Sequence, residues 1–280
     1  MDKYSIIMKR VNEHYEYLQK QGYEIVFLAL QGSQNYGLDV YDNDYISDVD
    51  TKAVILPSFE DFVYNKEPVS KTLVLENEEH IDVKDVRIMF EMFRKMNISY
   101  IELLYTKFKI INPKYKNIVK ELFKQKEEIA SINRNQFLRC IAGMAMEKEK
   151  ALCHPYPNLI EKINKYGFDG KQLSHCVRLQ EFIERYVNGE KIENCYISKI
   201  PTTLINLKKN LDHDGINYLD VEEAKKICKH CNFIIKTIKD DEIKEPDTIN
   251  EKGINILSNI KYNLLFYKFK EDICKQTKPI

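Results

Sequence analysis

Two aspartates separated by one residue, Asp48 and Asp50, are the first candidates for chemistry in this 280-residue chain. They begin segment 48–56, whose apolar and β-branched residues predict a strand. Because side chains two positions apart on a strand share a face, both carboxylates should project together. Carboxylate oxygens suit Mg²⁺ or Mn²⁺, and such ions support displacement reactions at phosphorus. Taken alone, however, the Asp-x-Asp pattern also fits a solvated strand edge.

A Gly-Ser turn precedes the aspartates. Gly32 and Ser33 follow segment 24–30, a short apolar run that predicts a buried strand. Such a turn offers backbone N–H groups and a hydroxyl to phosphates, and glycine permits close backbone approach. Ser33 is not favoured as a hydrolase nucleophile, because the chain has no G-x-S-x-G strand-turn-helix context there.

A third carboxylate, Asp82, lies between two apolar residues of a short predicted strand at 81–83. Alternation along that strand directs Asp82 away from the core that its neighbours join. Glu78, Glu79 and Asp85 are close enough in sequence to be alternative ligands. Asp85 is better explained as the start of a helix, where a carboxylate accepts from free N–H groups.

A basic stripe is predicted further along the chain. Lys171, His175 and Arg178 recur at intervals of four and three residues, which places them on one face of the predicted helix 170–188. This stripe fits a solvated helix face as well as it fits contact with a triphosphate or a nucleic-acid backbone.

Together these segments resemble the DNA polymerase beta superfamily of nucleotidyltransferases, in the branch described as RNA-repair-pathway or predicted nucleotidyltransferases. The resemblance covers roughly residues 25–190. Its first block comprises Gly32, Ser33, Tyr36, Gly37, Ser47, Asp48 and Asp50. Its second comprises Asp82, Asn97 and Glu102-Leu103-Leu104. Its third comprises Tyr166-Gly167-Phe168-Asp169-Gly170-Lys171, His175, Arg178 and Gly189.

The resemblance implies a metal-dependent transfer of a nucleoside monophosphate from a nucleoside triphosphate to a hydroxyl, most specifically that of an RNA (tRNA) end. It implies that three aspartates bind Mg²⁺ or Mn²⁺ and catalyse the transfer: Asp48, Asp50 and Asp82. It also implies that five residues contact the nucleotide: Gly32, Ser33, Lys171, His175 and Arg178. A protein- or small-molecule-adenylylating enzyme, or a non-catalytic protein that senses nucleotide or RNA, remains an alternative.

The sequence departs from the branch at two places. The spacer before Ser47 is longer than expected and acidic, with Asp39, Asp42 and Asp44. It lacks the central Gly and terminal Glu of a calcium loop. Ile98 also follows Asn97 where the branch usually has Pro. The acidic spacer bears on substrate access rather than on the three aspartates.

The predicted fold class is α+β, with a small mixed β-sheet nucleotidyltransferase core, flanking helices and an α-helical C-terminal region. We expect a catalytic domain at residues 1–112 and a helical domain at 113–280. Strands are predicted at 24–30, 48–56, 72–75 and 81–83, the last two as a hairpin. Helices are predicted at 4–20, 85–96, 115–130, 134–152, 170–188, 201–211, 221–239 and 249–273, with a capped start at Ser58.

Composition narrows the class of protein further. Lys+Arg and Asp+Glu are both 43, so nucleic-acid binding would need a local basic patch. With no predicted signal peptide or membrane span and an odd number of scattered cysteines, a cytoplasmic protein without membrane partners is expected.

Cys228 and Cys231 have no second Cys-x-x-Cys pair and are interpreted as core thiols. An apolar stripe near the C-terminus is interpreted as packing: Tyr262, Leu265, Phe266 and Phe269. The oligomeric state is not predicted.

Overall fold

The computed structural model describes residues 2–41 and 47–276, so Asp42 and Asp44 of the acidic spacer lie outside the described residues. Five strands form one sheet: β1 (Ile25–Gln31), β2 (Asp50–Ile55), β3 (Ser70–Val74), β4 (His80–Asp85) and β5 (Lys109–Ile111). Their order is β3-β4-β2-β1-β5. Only the β2–β4 pair is parallel, and the β3–β4 hairpin is antiparallel as predicted.

The helices account for most of the remaining chain. Up to the last strand they are α1 (Lys3–Lys20), α2 (Ser33–Tyr36), α3 (Phe59–Val63), α4 (Val86–Arg94) and α5 (Ile98–Ile101). They continue as α6 (Lys116–Lys124), α7 (Lys126–Ala130), α8 (Arg134–Ala151), α9 (Ile160–Tyr166) and α10 (Gly170–Val187). The last four are α11 (Ile192–Tyr196), α12 (Pro201–Lys208), α13 (Val221–Glu242) and α14 (Glu251–Gln276). The predicted α+β class is confirmed.

The elements differ from the sequence-based expectation in a few places. The helix predicted at 115–130 is divided at Gln125 into α6 and α7. Strand β5 was not predicted, because three residues are too few to establish a strand periodicity. The short helices α9 and α11 were also missed. None of the helices within residues 2–41 and 47–276 is both long and apolar enough to cross a membrane.

The chain divides into two compact units, each assembled from separate stretches of sequence. The first is Met1–Gly32, Asp48–Asn133 and Ile249–Ile280; the second is Ser33–Ser47 and Arg134–Thr248. Two consecutive domains divided at residue 112 were predicted instead. The difference arises largely from α14, which packs with the sheet-bearing unit through contacts that no local pattern indicates. Lys114, for example, pairs with Glu271 of α14.

In the first unit, α1 covers one face of the sheet. Ile7, Val11 and Leu18 of this helix are fully buried against strand residues that include Leu28 and Ala53. Helix α4 contacts β2 and β4, and α14 packs against α4, α6 and α7. The apolar character of α14 therefore serves packing along much of its length.

The C-terminal apolar stripe is only partly used in that packing. Phe269 lies edge-on to Phe59, with ring centroids 5.6 Å apart, and also contacts Phe62. Tyr262 and Phe266 stack on each other with centroids 5.8 Å apart and remain largely exposed. The packing interpretation thus holds for Phe269 and not for the two exposed rings.

In the second unit, α10 lies at the centre and packs against α8, α11, α12 and α13. Gly170 begins α10, and a Cβ at this position would come 2.1 Å from the Leu207 carbonyl oxygen. Asp169 caps the helix by accepting from the Lys171 N–H at 3.1 Å. The Phe-Asp-Gly-Lys segment therefore has a structural explanation at a helix junction. Cys228 and Cys231 of α13 are buried, as core thiols should be.

Candidate active site

The pairing of β1 with β2 brings the chain at Gly32 beside the Asp-x-Asp pair. Gln31, the residue before Gly32, is the antiparallel partner of Asp50. Asp48 lies just before β2 and is exposed, whereas Asp50 begins the strand and is partly buried. One carboxylate oxygen of Asp50 accepts from the His80 backbone N–H at 2.9 Å. The aspartates and the glycine turn therefore meet at one end of the β1–β2 pair.

The glycine turn depends on a buried glutamate. Gly32 has a φ of +96°, which disfavours any side chain. Its backbone N–H donates to Oε1 of Glu102 at 3.1 Å, and Glu102 is buried. The N–H of Gly32 is thus engaged within the protein, which corrects the expectation that it is available to a phosphate. A Cβ at Gly32 would still meet no atom within 4 Å, so the turn borders open space.

Asp82 has the predicted orientation but has unexpected partners. Ile81 and Val83 are fully buried in the core beneath α1, and Asp82 points to the other face. There its carboxylate pairs with Nζ of Lys52 at 2.5 Å and with Nζ of Lys84 at 2.9 Å. Burial alone would raise the pKa of Asp82, but the two ammonium groups lower it below its usual value.

Lys52 connects Asp82 to an aromatic ring. It lies opposite Asp82 in the parallel β2–β4 pair, two residues after Asp50 and therefore on the same strand face. Its ammonium is 4.3 Å from the ring centroid of Tyr100. Burial and the Asp82 charge raise the pKa of Tyr100 to about 12, so this phenol stays protonated at neutral pH.

The three aspartates do not form a common ligand group in this structure. Within the described ranges, no three side chains of His, Cys, Asp or Glu are placed to hold a metal ion. The two-residue spacing of Asp48 and Asp50 predicts oxygen donors on one face, and this donor chemistry fits Mg²⁺ or Mn²⁺. The Asp82 carboxylate does not fit as a third ligand while two lysines neutralise it. A metal role for the three aspartates therefore stays a prediction.

Glu79 supports the Asp-x-Asp backbone from the opposite face of the sheet. Its Oε1 accepts from the Val49 N–H at 3.1 Å, between the two aspartates. Its Oε2 accepts from the Arg10 guanidinium at 2.6 Å and contacts His14 Nε2 at 3.0 Å. His14 Nδ1 lies 2.9 Å from the Thr51 hydroxyl. Glu79 is thus a backbone-positioning group rather than the alternative metal ligand considered from the sequence.

Ser47, which precedes the first aspartate, is hydrogen-bonded to Val40 of the acidic spacer. Its hydroxyl accepts from the Val40 N–H at 2.8 Å, and its own N–H donates to the Val40 carbonyl at 2.8 Å. Asp39 of the spacer immediately precedes Val40. Asn97 and Asp85 have similarly structural roles, since each caps a helix. The predicted helix start at Asp85 is confirmed.

The basic stripe belongs to the second unit. Lys171 is exposed, His175 is partly buried and Arg178 is almost fully buried. The Arg178 guanidinium stacks on Tyr36, with Cζ 3.9 Å from the ring centroid. Tyr36 belongs to the first sequence block and Arg178 to the third, so the fold brings these two blocks together within one unit. Ser33 is also in this unit, at the start of α2.

No known protein family matches the sequence. A search of curated proteins finds no match either. Among solved structures, the chain aligns with a nucleotidyltransferase-like protein from Exiguobacterium sibiricum at 10% identity. The alignment covers 84% of this chain and 75% of that chain, with a TM-score of 0.28.

Three residues of this site have roles that were not predicted from the sequence: Lys52, Glu79 and Glu102. The signal for Lys52 was present, because it continues the two-residue spacing of Asp48 and Asp50 on one strand face. Glu79 was considered only as a ligand. Glu102 is 70 residues from Gly32, and no local pattern indicates which backbone N–H a distant carboxylate will bind.

Proposed function

We propose that the chain is a nucleotidyltransferase that moves a nucleoside monophosphate from a nucleoside triphosphate to a hydroxyl acceptor, most specifically the end of an RNA such as tRNA. One observation carries this proposal: the β1–β2 register places Asp50 opposite the residue before the Gly32 turn. A glycine turn that borders open space and paired carboxylates that can hold a metal ion, at one strand end, suit nucleotide transfer. The resemblance in sequence supports the same reaction.

Asp48 and Asp50 would hold Mg²⁺ or Mn²⁺. When bound, the ion would neutralise phosphate charge and favour attack by a hydroxyl. The Ser33 hydroxyl and the open space at Gly32 would accommodate phosphate groups, while Glu102 keeps the turn in its positive-φ conformation. Lys171, His175 and Arg178 are proposed to bind phosphate groups in the second unit.

Asp82 would orient the attacking hydroxyl by accepting its hydrogen bond. Its lowered pKa keeps it ionised at neutral pH, which suits a hydrogen-bond acceptor and makes it a weak general base. For Asp82 to bind a metal as well, Lys52 and Lys84 would first have to release its carboxylate. The lysine pairing is therefore part of the proposal and can be tested by substitution.

The experiment compares two positions of the radioactive label. Purified protein is incubated with Mg²⁺ and with [α-³²P] or [γ-³²P] nucleoside triphosphates, in the presence of total RNA or cell lysate. The proposal predicts label in an acceptor from the α-labelled nucleotide only, because pyrophosphate leaves with the γ-phosphate. Label in RNA supports an RNA end as the acceptor. Label in protein or in a small molecule instead supports a protein- or small-molecule-adenylylating enzyme.

A second candidate function is nucleotide or RNA sensing without transfer. The specific observation that favours it is the neutralisation of Asp82 by two lysines. A sensor would bind nucleoside triphosphate and release no pyrophosphate with any acceptor tested. Measuring nucleotide binding and pyrophosphate release in the same samples separates the sensor from the transferase.

A further inference from the structure

Arg178 is buried in the second unit with unused hydrogen-bond donors. The residue is 4% exposed, and among the described residues neither Nε nor Nη1 has a hydrogen-bond partner. Stacking on Tyr36 engages the face of the guanidinium but leaves the N–H groups in its plane. Because leaving a buried charge unpaired is unfavourable, such a group normally pairs with an anion. The geometry at Arg178 therefore indicates a missing anionic partner.

Further cations surround the same part of α10. Lys171 and His175 lie on the face that Arg178 shares, about two turns and one turn before it, respectively. Lys148 comes from α8 and Lys208 from α12, and both helices pack against α10. Burial lowers the pKa of His175 well below its usual value, and the charges of Arg178, Lys148, Lys171 and Lys208 lower it further. At neutral pH the ring is uncharged and the surrounding potential is positive.

The surroundings of Lys148 agree with this positive potential. Its side chain is partly buried, and burial lowers its pKa. Lys171 and Arg178 lower that pKa further, while the exposed Glu147 acts in the opposite direction. Cations drawn from three helices thus repel one another around a buried guanidinium. An anion bound among them would relieve that repulsion and use the free donors of Arg178.

We propose that Arg178, Lys148, Lys171 and Lys208 form a binding site for a phosphate chain, with His175 on the same face of α10 as Arg178. A triphosphate carries several negative charges and many acceptor oxygens, which matches four cationic side chains, one of them a forked guanidinium. Binding needs neither a divalent cation nor the aspartates of the first unit. The inference rests on the proposed function only in assigning the phosphate chain to a nucleoside triphosphate.

The test is calorimetric titration of the full chain with sodium tripolyphosphate in EDTA, with ATP titrated in parallel. We expect saturable binding of both, weakened about tenfold or more by Arg178→Gln and several-fold by Lys171→Gln. Lys229→Gln removes a lysine from an exposed position of α13 and should leave the affinity unchanged. Tripolyphosphate binding with no ATP binding would assign the site to a free polyphosphate rather than to a nucleotide.

Several outcomes would overturn the proposal. These are the absence of tripolyphosphate binding, equal weakening by Lys171→Gln and Lys229→Gln, or tighter binding of a short RNA that carries only phosphodiesters. Because Arg178 is buried, near-ultraviolet circular dichroism is used to check that its variant folds. If Arg178→Gln is misfolded, the affinity of Lys171→Gln for tripolyphosphate tests the site instead, because Lys171 is exposed. An unchanged affinity in Lys171→Gln contradicts the site.

The same titration distinguishes this site from the proposed reaction. A variant with Asp48→Asn and Asp50→Asn should bind tripolyphosphate in EDTA as the unmodified chain does. Tripolyphosphate binding by the unmodified chain, with no transfer by that chain to any acceptor tested, would contradict the proposed function and leave the phosphate site standing. Transfer activity without tripolyphosphate binding would contradict the phosphate site alone.

Discussion

Glu79 accepts a hydrogen bond from the backbone N–H of Val49, with 3.1 Å between Oε1 and N, and so supports the peptide that joins Asp48 to Asp50. The same carboxylate binds Arg10 and contacts His14 on the α1 side of the sheet. An ionic network in the core therefore helps to position the backbone between the two candidate catalytic carboxylates. The positions of Asp48 and Asp50 thus depend on Glu79, whose own carboxylate lies on the α1 side of the sheet.

The first prediction concerns Glu79→Gln. Burial alone would raise the pKa of Glu79, but hydrogen bonds from His14 and Val49 and the charge of Arg10 lower it. Because the folded state then holds this carboxylate below its unfolded pKa of 4.5, its contribution to stability is present above pH 4.5 and is lost as the pH falls. The variant should lose about 1–3 kcal/mol of unfolding free energy at pH 7.

Urea unfolding between pH 3 and pH 7 measures this effect. The loss caused by Glu79→Gln should shrink as the pH falls below 4.5, because the unmodified carboxylate is then protonated too. Glu78→Gln is the matched control, since its side chain is exposed. A loss of stability that stays the same across this pH range would contradict the ionic role of Glu79.

The second prediction concerns the Lys52–Asp82 pair. Lys52→Met should destabilise the fold by about 1–3 kcal/mol, because it leaves Asp82 with Lys84 as its one ionic partner among residues 2–41 and 47–276. Asp82→Asn in the Lys52→Met background should cost less than Asp82→Asn alone. A double-mutant cycle measured by urea unfolding gives the coupling energy. Strictly additive effects would show that the two side chains do not stabilise each other.

The third prediction concerns Gly32→Ala. A φ of +96° strains any residue with a Cβ, so the substitution should cost about 1–3 kcal/mol although space is available. Gly143→Ala is a useful control, because Gly143 lies within α8 in open space and alanine favours a helix there. Gly32→Ala should therefore lower the free energy of unfolding, whereas Gly143→Ala should raise it. Equal effects of the two substitutions would contradict the strained turn.

The fourth prediction concerns pH and His175. Because its folded pKa lies well below 6.5, the unfolded chain binds a proton below that pH that the folded chain does not bind. Stability should therefore fall as the pH drops from about 6.5, and His175→Gln should remove part of that fall. Thermal unfolding from pH 5 to pH 8 tests this, with the exposed His230→Gln as control. An unchanged pH profile for His175→Gln would contradict the burial and cationic environment.

Local patterns predicted most of the strands and helices, because periodicity and capping residues are local properties. Ser58 and Asp85, for example, cap the helices that follow them as expected. The division into units could not be predicted in this way. It depends on contacts such as that of Phe59 with Phe269, which are more than 200 residues apart in sequence.

The candidate site shows the same limit. The spacing rule predicts the shared strand face of Asp48 and Asp50, and alternation predicts the orientation of Asp82. Which partner each carboxylate takes depends on strand register, and the register places Lys52 opposite Asp82. The sequence therefore indicated the orientation of Asp82 without indicating that two lysines would neutralise it.

The most direct measurement of the central proposal is nucleotide transfer by the Asp48→Asn, Asp50→Asn double variant. Transfer from an [α-³²P] nucleoside triphosphate in Mg²⁺ or Mn²⁺ is compared between the unmodified chain, this variant and Asp241→Asn, which alters an exposed aspartate of α13. Transfer should occur with the unmodified chain and Asp241→Asn and fall by at least about 100-fold in the double variant. Unimpaired transfer by the double variant would contradict the proposed role of Asp48 and Asp50.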